Sequence, residues 1–66
     1  MNLGENIKKA RVGAGLTQLQ LADQLGIRQK DVSRWEHNVQ SPNVITFSEM
    51  CKIMRVSADE LLEIKI

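Results

Sequence analysis

The sequence of 66 residues is poor in the residues that disulfide-rich, zinc-binding or membrane-spanning proteins need. Its single cysteine, Cys51, excludes an intramolecular disulfide, and its single histidine leaves no Cys/His cluster typical of zinc sites. No apolar run approaches the ~20 residues of a transmembrane helix, and the opening MNLGENIKKA does not resemble a signal peptide. We therefore expect one small cytoplasmic domain, stabilised by apolar packing, with no metal, cofactor or membrane contact.

The sequence also contains few aromatic residues, and its net charge is small. Trp35 and Phe47 are the two aromatic residues, and β-branched alternation is nearly absent, so strands are not expected. The net charge of +1 is far from the strongly basic balance of many nucleic-acid-binding proteins. The distribution is uneven, because residues 1–37 carry six Lys/Arg against four acids and residues 38–66 carry three against four. The N-terminal half is therefore mildly positive.

Apolar residues recur at helical spacing in five blocks. These blocks run from Leu3 to Ala14, from Thr17 to Gly26, from Arg28 or Gln29 to His37, from Asn43 to Met54, and from Ser57 onward. Thr17-x-x-Gln20 and Ser57-x-x-Glu60 are capping boxes, in which a hydroxyl and a side-chain carbonyl satisfy free N–H groups at a helix start. The sequence thus predicts an all-α, compact domain of five helices over residues 1–66, with no linker or repeat.

The apolar stripes also predict which helix faces are buried. On the first helix we expect Leu3, Ile7, Ala10 and Ala14 to point inward. On the fourth helix we expect a buried face of Val44, Phe47, Cys51 and Met54, with Met50 at its edge. Cys51 is interpreted as a structural thiol, and a redox sensor is the alternative.

The second and third blocks are joined at Gly26 in the arrangement of a helix-turn-helix. Counting from Gln18, a small residue falls fifth and glycine falls ninth. A small residue allows close helix crossing, and glycine takes the turn conformation without a Cβ penalty. The apolar positions that seal the angle between the helices are Leu21, Leu25, Ile27, Val32 and Trp35. The small residue, the glycine and the five apolar residues all fall at the spacing that the motif requires. We therefore place the motif at about residues 17–37.

The third helix has a polar face that is typical of a reader of DNA bases. At about 100° per residue, Val32 and Trp35 define the inward direction, and the remaining polar side chains point to solvent. Arginine and lysine suit guanine, glutamine suits adenine, and serine suits either base. In this motif the second helix of the pair enters the major groove by its N-terminus. The predicted base-contacting residues are Gln29, Lys30, Ser33 and Arg34.

Other polar residues around the motif are candidates for contacts with the DNA backbone. The free N–H groups at the start of the second helix suit a phosphate oxygen. The predicted backbone-contacting residues are Thr17, Gln18, Arg28, His37, Asn38 and Asn43. For Arg28 an ordinary position before the third helix is the alternative, and for His37 an ordinary surface position.

The segments GLTQLQLADQLGIRQKDVSRWEHN and SPNVITFSEMCKIMRVSADELL resemble the phage repressor and Cro type of helix-turn-helix protein, the XRE-like transcriptional regulators. The resemblance covers about residues 5–62. It implies a lambda-repressor-like fold and a homodimer that binds a palindromic operator in double-stranded DNA. It also implies that Gln18 contacts DNA and that Arg11 forms a structural ion pair with Glu36. In contrast to many members, the loop HNVQSP carries no Lys or Arg, so we expect modest salt dependence.

The dimer surface is expected in the C-terminal part of the chain, within residues 43–66, because the oligomerisation domain of longer phage repressors is absent. On the fourth helix, Ile45 and Ile53 are predicted to point away from the core, and Ile64 and Ile66 follow the fifth helix. We expect these four isoleucines to contribute to a two-fold interface.

Two functional interpretations remain open at the level of the sequence. The first is a sequence-specific transcriptional regulator, with repression as the expected outcome, encoded by a bacterium or a phage. The alternative is a protein-interaction module, such as an antitoxin or an anti-repressor that binds a partner protein. An enzyme is not expected, because the sequence contains no converging carboxylates, phosphate-binding loop or His/Cys pair.

Overall fold

The computed structural model describes residues 2–63, in which five helices follow one another without a strand. The helices are α1 (Leu3–Gly13), α2 (Gln18–Leu25), α3 (Gln29–Glu36), α4 (Val44–Met54) and α5 (Ala58–Leu62). The predicted all-α architecture is confirmed, and the observed helix bounds lie within a residue or two of the predicted ones.

Local chemistry at the helix starts explains these bounds. Both predicted capping boxes are present, at Thr17 before α2 and at Ser57 before α5. Asn43 accepts a hydrogen bond from the backbone N–H of Thr46, and Asn2 caps α1 by accepting from the N–H of Glu5. Arg28, before α3, makes no side-chain capping bond. Four of the five helices thus begin at a residue whose side chain satisfies a free N–H group.

The helix ends share one backbone conformation. Within the described residues, each helix is followed within two residues by a residue of positive φ: Gly15, Gly26, Asn38, Arg55 and Glu63. At Gly26, φ is +69°, and the next N–H, that of Ile27, donates to the carbonyl of Ala22. This bond closes α2 and turns the chain at once toward α3.

The helices pack around a single core. α3 packs against both α1 and α2, α4 packs against α2, and α5 packs against α1. The side chain of Asn6 donates to the carbonyl of Leu61 and to the carboxylate of Glu63, which ties α5 to α1. The buried apolar side chains are Ile7, Leu21, Ala22, Val32, Trp35, Met50, Met54 and Leu61.

Two predicted faces are confirmed at most positions but are slightly rotated in the structure. Ile7 and Met54 are buried, as predicted, and the half-buried residues packed against the core include Leu3, Ala10, Phe47 and Cys51. On α1 the buried residues are Gly4, Ile7 and Arg11, whereas Ala14 is exposed. Gly4 lies so close to α3 that an added Cβ would come within 2.5 Å of the carbonyl oxygen of Trp35. Of the four residues predicted to point inward on α1, only Ala14 was wrong, and the sequence missed Gly4 and Arg11 because a glycine and an arginine carry no apolar signal.

On α4, Met50 is fully buried and Val44 is 84% exposed, so the prediction of an inward Val44 was wrong. Val44 is the first residue of α4, whereas the buried residues Met50 and Met54 lie in its second half. The rotation also affects Ile53, which is half-buried against the core and does not point away from it as predicted. Ile45 is 73% exposed, as predicted. Ile64 and Ile66 lie outside the described residues.

Candidate nucleic-acid interface

The solvent side of α3 carries the residues that the sequence singled out as base readers. Gln29, Lys30 and Arg34 are exposed, and Ser33 is half-buried. Val32 and Trp35 on the other side of the helix are 0% and 6% exposed and anchor it in the core. The two sides of α3 are therefore separated, with apolar residues inward and hydrogen-bonding residues outward.

The C-terminal end of α3 is fixed by a buried carboxylate. The side chain of Glu36 is 2% exposed and lies 2.6 Å from Nε of Arg11, whose side chain is 11% exposed. Nη2 of Arg11 donates to the second oxygen of Glu36 at 3.2 Å, and Nη1 donates to the carbonyl of Leu16 at 2.8 Å. The ion pair that the resemblance implied is thus present as a bidentate contact between α1 and α3.

Gln18 joins the same carboxylate, which the sequence did not predict. Its Nε2 donates to Oε1 of Glu36 at 3.0 Å. One amide hydrogen and the amide oxygen of Gln18 remain for a further partner, and the residue is half-exposed. Glu36 therefore connects α1, α2 and α3, and it orients the side chain expected to contact the DNA backbone.

His37 lies directly after α3, and one of its ring nitrogens already takes part in a hydrogen bond within the protein. Its Nδ1 is 2.7 Å from the carbonyl oxygen of Ser33, so Nδ1–H donates to that carbonyl. The neutral ring then offers an acceptor at Nε2, and only the imidazolium offers a second donor. A contact between His37 and a phosphate oxygen consequently requires the charged ring.

Three other predicted backbone contacts have structural roles. Thr17 accepts from the N–H of Gln20 and keeps its hydroxyl hydrogen for another acceptor. Asn43 accepts at Oδ1 and keeps its amide NH₂ group. Asn38 accepts from the N–H of Gly4 at 3.0 Å and donates to Oδ1 of Asn2 at 2.9 Å. Asn38 thus ties the end of α3 to the start of α1 and has one amide hydrogen left.

Arg28 stands in extended backbone immediately before α3, and its side chain is exposed. Because its side chain is exposed, its guanidinium is available at the same end of α3 as Gln29 and Lys30. The structure therefore brings Arg28, Gln18 and Thr17 to the two helix starts of the motif.

Other features of residues 2–63 concern metal binding, the reactivity of the cysteine and the length of apolar helices. They contain no cluster of three or more His, Cys, Asp or Glu side chains placed to hold a metal ion. Cys51 is half-buried, and burial raises the pKa of its thiol. None of the helices described is sufficiently long and apolar to cross a bilayer.

Comparison with known proteins adds to this geometry. A family model described as helix-turn-helix matches residues 7–61. Among curated proteins, the chain is 37% identical over 62 residues to the HTH-type transcriptional activator BcrR of Enterococcus faecalis. It is 36% identical over 62 residues to the HTH-type transcriptional regulator ImmR of Bacillus subtilis. Each alignment covers 94% of this chain, but only 30% of BcrR and 49% of ImmR.

Among solved structures, the fold matches the P22 c2 repressor in a complex with a synthetic operator. The TM-score is 0.85, the sequence identity is 26%, and the match covers 92% of each chain. The confirmed fold, the matching family model and the two relatives agree, and the chain belongs to the XRE-type helix-turn-helix family.

Proposed function

We propose that this protein binds double-stranded DNA in a sequence-specific manner and regulates transcription. The carrying observation is the polar face of α3, which is exposed to solvent while Val32, Trp35 and Glu36 fix the helix from its other side. The similarity to a repressor that was solved with its operator supports this proposal. Because the proposed target is DNA, we place the protein in the cytoplasm of a bacterium or of a phage-infected cell.

The base readers in this proposal are Gln29, Lys30, Ser33 and Arg34 of α3. The backbone contacts come from Thr17 and Gln18 at the start of α2, from Arg28, and from His37, Asn38 and Asn43 after α3. Asn38, like Gln18, has one amide hydrogen unused, so each can donate a single hydrogen bond to a phosphate oxygen.

Selection of bound sites from random duplex DNA tests this proposal. We expect an enriched sequence, and we expect Arg34→Ala and Gln29→Ala to weaken its binding by about 1–3 kcal/mol each. Lys52→Ala, which removes an exposed cation on α4, is the matched control and leaves sequence preference unchanged. Unchanged binding by the two α3 variants would show that α3 does not read bases.

We further propose that the protein acts as a homodimer on a palindromic operator. Val44 and Ile45, at the start of α4, are 84% and 73% exposed and form an adjacent apolar pair. Ile45 is therefore the best-supported member of the proposed interface. Ile53 is less accessible than expected, and Ile64 and Ile66 remain proposed members on the sequence alone.

Sedimentation tests the dimer. We expect self-association at micromolar concentration, and we expect Ile45→Glu to shift the protein to monomer. Val12→Glu changes a comparably exposed apolar residue of α1 and serves as the control. A wild-type protein that stays monomeric at high micromolar concentration, without DNA and with it, would contradict this part of the proposal.

We infer repression as the regulatory outcome, since occupancy of an operator is sufficient to block polymerase and needs no further contact. The relatives include a named activator, so the sign needs its own measurement. A reporter gene placed behind the selected site should lose expression when the protein is produced. The interaction-module alternative has no specific observation in its favour.

A further inference from the structure

An open cleft of about 760 Å³ lies beside the candidate interface, between α1, the start of α2 and the end of α3. Lys8 and Lys9 of α1 line one side of it, and Gln18 and His37 line the other. Val12 adds apolar surface. The cleft therefore borders two residues already proposed to contact the DNA backbone.

The charges around this cleft are not equivalent. Nζ of Lys9 lies 3.6 Å from the carboxylate of Glu5, and both side chains are largely exposed. Glu36, which also lines the cleft, is neutralised by Arg11. Lys8 is exposed and forms no ion pair with any carboxylate of the described residues. The net positive charge of the cleft thus resides mainly on Lys8.

The loop after α3 carries no lysine or arginine, so a lysine in this cleft would contribute more to binding of the DNA backbone. The segment from His37 to Asn43 contains no lysine or arginine, so the loop after α3 brings no permanent positive charge to the DNA backbone. The cations of α1 lie across the cleft from His37, at the same end of α3.

We propose that this cleft receives the phosphate backbone of the bound duplex, with Lys8 as its principal cation and Lys9 as a weaker second one. The inference rests on the proposed DNA binding and extends its footprint from α2 and α3 to α1. Exposed lysines suit a polyanion, because each neutralised phosphate releases counterions. A free small anion would gain little from them, since both ammonium groups stay hydrated.

The salt dependence of binding tests this role of Lys8. Binding is measured for the selected operator and for a random duplex of equal length, at about 50 mM and about 200 mM salt. Loss of one phosphate contact lowers the slope of log affinity against log salt by about 0.9. For Lys8→Ala, the ratio of affinities at the two salt concentrations should therefore fall by about 3.5-fold, equally for both duplexes.

Matched variants sharpen the test. Lys8→Arg keeps the charge and should keep the wild-type slope. Glu5→Gln removes the partner of Lys9 and should strengthen binding to both duplexes, most at low salt. Lys52→Ala, on α4, should leave the slope unchanged. Thermal unfolding of each variant verifies that the fold is intact.

Each result decides between the interpretations. A wild-type slope for Lys8→Ala overturns the inference while leaving the proposed function intact. A loss confined to the operator would assign Lys8 to base reading and also overturn it. If the wild-type protein binds neither duplex, the proposed function itself fails.

Discussion

Replacement of Arg11 by methionine should cost more stability than replacement of any charged side chain described outside the Arg11–Glu36 pair. The variant leaves the carboxylate of Glu36, only 2% exposed, with the amide of Gln18 as its remaining side-chain partner. Removal of one partner of a buried ion pair costs about 3–5 kcal/mol. A domain of 66 residues has a total stability of about 3–10 kcal/mol. The expected cost of Arg11→Met is therefore between about a third and the whole of the domain's stability.

The free energy of unfolding is measured by urea denaturation, followed by the fluorescence of Trp35 and by circular dichroism. Trp35 is 6% exposed and adjacent to Glu36, so its emission reports on this end of α3. The double variant Arg11→Met/Glu36→Leu removes both charges and should be more stable than Arg11→Met alone, because no buried charge is left unpaired. Lys9→Met breaks the exposed pair with Glu5 and should cost less than about 1 kcal/mol.

Two outcomes would refute this reasoning. The first is a cost below about 1 kcal/mol for Arg11→Met, which would class the pair with exposed ones. The second is strict additivity of Arg11→Met and Glu36→Leu, with Glu36→Leu also measured alone, since a buried, hydrogen-bonded pair must show coupling between its members.

The remaining predictions concern the backbone and the single cysteine. Gly4→Ala should destabilise the domain by about 1–3 kcal/mol, because its Cβ would lie 2.5 Å from the carbonyl oxygen of Trp35. Gly13→Ala, with no heavy atom within 4 Å of its Cβ, should raise the midpoint of thermal unfolding. Arg55 has a φ of +57°, so Arg55→Gly should stabilise the domain by about 1 kcal/mol in the same assay. Burial raises the pKa of Cys51, so iodoacetamide should modify the thiol more slowly in the folded protein than in urea. The linked stability is complete below the unfolded-state pKa and is lost as the pH rises through the folded-state pKa, which alkaline urea titrations of wild type and Cys51→Ala would detect.

The helix bounds were predictable because their signals are local. The side chains of Thr17 and Ser57 accept hydrogen bonds from N–H groups three residues away. Gly15 and Gly26 adopt positive φ, which glycine does without steric strain. The buried face of α4 was not predictable in the same way. Seven of its eleven residues are apolar, so several stripes satisfy the helical period equally. Packing of α4 against α1 and α2, which lie far away in the sequence, favours the stripe that contains Met50.

In the candidate interface, too, local features were predictable from the sequence and long-range contacts were not. The exposed face of α3 was predictable, because Val32 and Trp35 are the only large apolar side chains in that helix and fix its orientation. The bond from Gln18 to Glu36 spans 18 positions, and that from Gly4 to Asn38 spans 34. Such contacts depend on the angles between helices, which a residue pattern does not encode.

One carboxylate links the proposed reading of bases to the proposed anchoring on the DNA backbone. Glu36 ends α3 and holds both Arg11 of α1 and Gln18 of α2. The amide of Gln18 is hydrogen-bonded to the carboxylate of Glu36 in α3. A shift of α3 along the major groove would therefore move this amide as well. If Arg34 contacts a base and Gln18 a phosphate, as proposed, this hydrogen bond restricts the distance between the two contacts before DNA binds and should lower the entropy cost of binding. In the proposed function, we therefore expect the stability of the Arg11–Glu36 pair and the affinity for DNA to be coupled, because both depend on the same three helices.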